Sequence, residues 1–138
     1  MPQSRRSLIL VVDDDIRTTR VLVKMLREDG FDVDLATHGA AAIGRLTHGP
    51  LPDAILTDFR MPYADGFTVA RFGRFQRAEL PILIMTGYAE QMTRADRTMD
   101  PPAVIFTKPI DYGLLRAELR RLLGRGDELA PSSRVIPA

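Results

Sequence analysis

Cysteine is missing from the 138 residues. Its absence excludes disulfides, thiolate metal sites and cysteine nucleophiles, and it suits a cytoplasmic setting. Long hydrophobic runs are missing too, and none approaches the roughly 20 residues that a membrane helix needs. The basic start, Met1 to Ser7, leads into only five apolar residues before the first acids, too few for the apolar segment of a signal peptide. No excess of one charge exists: 19 Lys and Arg face 18 Asp and Glu, a net charge of +1. That balance does not draw the chain toward nucleic acid or a membrane surface. There is no internal repeat and no composition shift that would mark a second domain.

What is present is a set of short apolar runs. Leu8–Val12, Ala54–Thr57, Pro81–Met85 and Val104–Thr107 read as buried parallel strands, and Phe31–Leu35 alternates as a half-exposed strand does. Helical patterns separate them. Thr19, Leu22, Val23 and Leu26 share one face, with Gly30 past the end. Ala42, Ile43 and Leu46 belong to a second helix that stops at Gly49-Pro50, and a third spans about Phe67 to Phe75. A polar fourth, about Ala89 to Thr98, must end at Pro101-Pro102. A fifth, about Asp111 to Leu123, carries Leu115, Leu119, Leu122 and Leu123 on one face. Five β-α repeats predict an α/β fold, a flavodoxin-like doubly wound three-layer sandwich with parallel strand order 2-1-3-4-5. The expected organisation is a flexible arm over 1–6, one domain over 7–124 and a flexible tail over 125–138.

The strand ends carry the chemistry. Asp13-Asp14-Asp15 follows the first run, Asp58 the third, Thr86-Gly87 the fourth and Lys108-Pro109 the fifth. Open parallel sheets bind ligands beyond the carboxyl ends of their strands, and this strand order sets the first strand beside the third. Asp13, Asp14 and Asp58 then supply hard oxygen ligands for Mg²⁺, or Mn²⁺ in its place. Clustered carboxylates repel one another, and a dication relieves that repulsion. Asp58 is the candidate nucleophile toward phosphorus, giving an aspartyl phosphate. Lys108 brings a point charge for a phosphoryl oxygen, Thr86 a hydroxyl, and Gly87 space and a backbone N–H. Each residue alone has a plainer role as a helix cap or a surface side chain; their convergence on one edge is what points to a site.

The residues Val11-Val12-Asp13-Asp14, Leu56-Thr57-Asp58-Phe59-Arg60-Met61-Pro62, Asp65-Gly66, Met85-Thr86-Gly87 and Thr107-Lys108-Pro109 together resemble a response-regulator receiver domain of two-component signalling, over about residues 7–124. The gaps fit: 44 residues from Asp14 to Asp58, 28 to Thr86 and 22 to Lys108. The resemblance implies that Asp58 accepts phosphate from a histidine of a sensor kinase or a histidine phosphotransfer protein. Asp14 would be the main metal-binding acid, Asp13 would act largely through metal-bound water, and the Arg60 backbone carbonyl would be a further ligand. Asp15 would lie outside the metal's first shell. Thr86 and Lys108 would hold phosphoryl oxygens, and the Lys108-Pro109 bond would be cis. The chain would be no enzyme beyond catalysing its own phosphorylation and dephosphorylation. The output would be contact with a downstream protein, or onward phosphotransfer, through a face that includes Arg94, Arg97, Ile105, Arg116 and Arg120, where a homodimer could also form. The residues after Leu123 are too few for a DNA-binding or catalytic output domain, so a stand-alone single-domain regulator is expected. Neither His38 nor His48 sits in a phosphodonor helix pattern, which argues against a histidine-kinase role.

Departures from the family pattern are specific. Three residues before the lysine, receivers usually carry Tyr or Phe, whose rotation reports phosphorylation; here Ile105 stands there, and Phe106, one place on, should point to the opposite face. Pro101-Pro102-Ala103 replaces the usual Gly-Ala and should stiffen the approach to the last strand. Arg60 and Tyr88, two residues after Asp58 and Thr86, flank the route by which water attacks the acyl phosphate in the family, and their bulk predicts slow autodephosphorylation. Two competing readings remain. One is a haloacid-dehalogenase-like phosphatase with its nucleophile in Asp13-Asp14-Asp15, against which stand Arg17, the short chain and the lack of a role for Asp58. The other is a receiver-fold interaction module that works without phosphorylation, for which Ile105 is the only support.

Overall fold

A computed structural model describes residues 6–62, 64–87, 92 and 98–124. Five strands form one parallel sheet: β1 (Leu8–Val12), β2 (Asp32–Ala36), β3 (Ala54–Asp58), β4 (Ile82–Thr86) and β5 (Val104–Thr107), in the order β2-β1-β3-β4-β5. Among the described residues the helices are α1 (Ile16–Glu28), α2 (Gly39–His48), α3 (Gly66–Gln76) and α4 (Tyr112–Leu122). The doubly wound architecture and strand order are those expected. The expected helix over about Ala89 to Thr98 lies almost wholly outside the described residues, as do Tyr88, Arg94 and Arg97, the tail over 125–138 and all of the arm except Arg6.

Side-chain alternation along the strands divides the core in two. Ile9, Val11, Leu56, Leu83, Met85 and Phe106 meet Val23 and Leu26 of α1 and Leu115 and Leu119 of α4. Leu10, Val12, Ile55, Ile82, Ile84 and the half-buried Ile105 face the other way, toward Ala42 and Leu46 of α2 and Val69 and Ala70 of α3. A strand covered on both faces needs apolar residues at every position, which is why these runs are continuous. Ile105 and Phe106 thus take opposite faces, as the sequence predicts.

Helix starts follow local chemistry. Asp15, His38, Asp65 and Asp111 each cap a helix, accepting from the backbone N–H three residues on. Gly30 closes the α1 end at φ 96° and Gly124 follows α4 at φ 75°, a region that favours glycine.

Several boundaries differ from the sequence reading. β2 is shifted by one residue, and Leu35, expected inside by alternation, is exposed, because the sheet edge it occupies is only partly covered by α1. β3 and β4 run one residue further and take in Asp58 and Thr86, since each still makes ladder contacts in parallel register: Asp58 opposite Met85, Thr86 opposite Thr107. Pro81 falls outside β4. Asp111 and Leu123 are caps rather than members of α4. Ile43 is only half-buried on α2.

Candidate phosphoryl and metal site

The strand order sets β3 between β1 and β4, so the C-terminal edge gathers Asp13, Asp58, Thr86 and Lys108. The loops there are held by backbone bonds. The Asp13 N–H donates to the Ala36 carbonyl at 3.1 Å, the Phe59 N–H to Met85 at 2.8 Å and the Lys108 N–H to Thr86 at 2.8 Å. Each strand therefore positions the residue that follows its neighbour's end.

Three carboxylates meet. Asp13, Asp14 and Asp58 each present an oxygen, all within 4.8 Å of one another. Asp13 and Asp58 are buried and Asp14 is exposed. The Lys108 ammonium lies 3.0 Å from Asp58 Oδ1 and 3.5 Å from Asp13 Oδ2. The other Asp13 oxygen, Oδ1, accepts the Asp15 backbone N–H at 2.9 Å, which fixes the rotation of the carboxylate. Asp15 itself turns away to cap α1: its Oδ2 accepts the Thr18 hydroxyl at 2.9 Å, and these bonds hold its carboxyl below the ordinary value.

The electrostatics follow from this packing. Burial pushes the Asp58 carboxyl up; the Lys108 hydrogen bond and charge oppose that shift, and the Asp13 and Asp14 charges add to it. Burial works to lower Lys108, but its contacts with Asp58 and Asp13 outweigh that and raise it. One ammonium thus serves a cluster of three acids, leaving excess negative charge on hard oxygens. That donor set fits Mg²⁺, which takes one or two carboxylates and keeps several waters.

The sequence-predicted residues mostly converge. Asp13, Asp14, Asp58 and Lys108 share the cluster, and Thr86, 2% exposed, ends the adjacent strand. Arg60 is exposed at the loop after β3, beside a groove lined by Phe59, Met61, Pro62 and Asp65. The Lys108-Pro109 bond is cis, as expected, and Asp100-Pro101 is cis as well. His38 is an N-cap, its Nδ1 accepting the Ala41 N–H at 3.1 Å, and His48 ends α2. Arg116 and Arg120 lie on α4. Sequence reasoning missed Tyr112 and Asp29, whose side chains bond at 2.6 Å across 83 residues of chain; no local pattern signals such a pair.

Comparisons with known proteins agree with the geometry. The family model of the response regulator receiver domain matches residues 9–120. The chain is similar to the transcriptional regulatory protein ZraR of Escherichia coli (strain K12), 30% identical over 94% of this chain and 29% of that protein, so it spans under a third of that relative. It is 33% identical to the response regulator receiver protein CpdR of Brucella abortus (strain 2308), over 83% of this chain and 95% of that one. Among solved structures, the receiver domain of the sensor histidine kinase PA1611 of Pseudomonas aeruginosa PAO1, described with a magnesium ion coordinated in its active-site cleft, superposes with a TM-score of 0.73 at 30% identity, covering 87% of this chain and 99% of that one. These matches set aside the phosphatase reading, in which Asp58 had no role. With Asp58, the acid pair and Lys108 assembled on one sheet edge, and a family match spanning nearly the whole sheet, the chain belongs to the response regulator receiver domain family.

Proposed function

We propose that Asp58 is the phosphoacceptor, taking a phosphoryl group from a phosphohistidine of a sensor kinase or a histidine phosphotransfer protein. The observation that carries this reading is the Lys108 ammonium 3.0 Å from Asp58 Oδ1, beside three carboxylate oxygens within 4.8 Å. Asp13, Asp14 and Asp58, with the Arg60 carbonyl, would hold Mg²⁺. When bound, the ion would supply charge that offsets these carboxylates and the incoming phosphoryl oxygens.

The chemistry asked of the residues is mostly positioning. A carboxylate oxygen of Asp58 attacks phosphorus while the P–N bond of the donor breaks. The imidazole leaves with the electron pair and takes up a proton. Lys108 moves from the carboxylate to a phosphoryl oxygen, and the Thr86 hydroxyl donates to another. The modified Asp58 carries more charge and new acceptors, and the arrangement of Thr86 and the loops after β3 and β4 shifts with it. The output is contact with a downstream protein, or onward transfer to a histidine, through the face that includes Ile105, Arg116 and Arg120. Arg60 restricts the approach of water to the acyl phosphate.

Intact mass after incubation with acetyl phosphate, with and without Mg²⁺, tests this. A single phosphoryl adduct that requires Mg²⁺ and disappears in Asp58→Asn is expected. Folded wild-type protein that takes no adduct would return weight to the phosphorylation-independent module, with Ile105 as its leading clue.

A further inference from the structure

Lys108 reaches the site from a connection that the sheet anchors at one end only. Its N–H is bonded to Thr86 at the end of β4. Beyond it the chain turns through Pro109 and Ile110 to Asp111, which caps α4, and Tyr112 is the first residue of that helix. Asp13 reaches the site from the other side: its carboxylate is oriented by the Asp15 N–H at the start of α1. A groove of about 740 Å³ separates these two walls, with Thr18, Leu22 and Met25 of α1 on one side and Lys108, Ile110 and Tyr112 on the other.

Besides the Lys108–Asp13 ion pair at the cluster itself, a second polar contact set joins the two walls. The Tyr112 hydroxyl donates to Asp29 Oδ2 at 2.6 Å, and an Arg116 guanidinium nitrogen lies 3.7 Å from the same oxygen. Asp29 is the C-cap of α1, its own N–H held by carbonyls of the last turn. It is therefore a firm post. Burial, then the Asp29 hydrogen bond and charge, push the Tyr112 phenol up, which keeps the hydroxyl a donor. Leu22 and Met25 on one wall and Ile110 on the other are apolar and add no directional bond of their own.

We propose that Tyr112, through its bond to Asp29, is a positioning residue for Lys108: it ties the Lys108–Tyr112 connection to α1 and so holds the ammonium over Asp58. This inference rests on the reading of Asp58 as the phosphoacceptor and adds a device not seen in the site itself. The Tyr112 hydroxyl is bonded to Asp29, not to the acid cluster, so its removal is expected to reach the site through Lys108. A freed ammonium no longer competes for the Asp13 and Asp58 oxygens, so metal binding does not suffer with it.

The test separates these effects. Wild type, Tyr112→Phe and Asp29→Asn are compared for the rate of Asp58 labelling by acetyl phosphate at saturating Mg²⁺ and, separately, for Mg²⁺ affinity by calorimetry without phosphodonor. Tyr112→Phe should slow labelling about two- to tenfold, the factor that losing one net hydrogen bond corresponds to, with Mg²⁺ affinity unchanged or tighter. Asp29→Asn, which keeps an acceptor oxygen, should lie between it and wild type. An unchanged labelling rate overturns the proposal. So does a parallel fall in labelling and Mg²⁺ affinity, which marks general loosening of the fold. If wild type takes no adduct, the phosphoacceptor reading itself fails and this inference with it, whereas labelled wild type with an indifferent Tyr112→Phe refutes the inference alone.

Discussion

Gly66 passes so close to Asp58 that a Cβ on it would lie 2.3 Å from the Asp58 carbonyl oxygen. The contact is with backbone, so no side-chain rotation relieves it. The Gly66 N–H also donates to the Phe59 carbonyl at 2.8 Å, and Asp65 beside it caps α3. The Asp65-Gly66 pair therefore clamps the loop after β3 against the end of the strand that carries Asp58. Gly66→Ala should cost about 1–3 kcal/mol, as overpacking does, and should also slow phosphoryl labelling. Urea unfolding and intact mass check the two effects; Ala without loss in either would show that the loop is free to move.

The buried Asp58 carboxylate bears on stability. Its pKa is raised in the folded protein above the unfolded value of 3.8, chiefly by burial. A raised acid favours folding most below its unfolded pKa and progressively less as pH rises through the folded one. Metal-free Asp58→Asn should thus be more stable than wild type at pH 7, with the gain fading toward and below pH 3.8. The raised Lys108 has the same sense at the other end: its contribution is complete below 10.5 and is lost above that, as pH rises through its folded value. Denaturant midpoints from acid to alkaline pH would test both, and a constant Asn advantage across the acid range would contradict the first.

Mg²⁺ should stabilise the fold by linkage. A ligand bound only by the folded state adds about 2.7 kcal/mol at a hundredfold excess over its Kd. Wild type should show a midpoint that climbs with Mg²⁺, and Asp13→Asn or Asp14→Asn a smaller climb. Equal responses in all three would remove the acid pair from the metal site.

Arg60 is exposed, two residues after Asp58 in the loop that follows β3. Arg60→Ala should open the path of water and shorten the phosphoryl half-life several-fold, and Tyr88→Ala should act in the same direction. Decay of the mass adduct after removal of phosphodonor measures this. An unchanged half-life in the double variant would overturn the assignment.

Much of this was legible in the chain because it depends on local rules. Continuous apolar runs mark strands buried on both faces, and apolar side chains recurring at helical spacing mark the helices between them. The acids, Thr86 and Lys108 stand at strand ends, and a parallel sheet brings all such ends to one edge. Boundaries were less legible. Asp58 and Thr86 belong to their strands because neighbouring strands still pair with them, and Leu35 is exposed because its strand lies at the sheet edge. Neither fact is encoded nearby in the chain.

Alternation, helical spacing and Gly or Pro stops thus determined the element types, the doubly wound sheet and the membership of the acid cluster, since each follows from a few adjacent residues. Tertiary structure alone decided the distances: the ammonium at 3.0 Å from Asp58, the close pass of Gly66 and the Tyr112–Asp29 bond across 83 residues. These depend on how whole helices seat on the sheet, and that seating is a sum over the packed core which no short stretch of sequence contains.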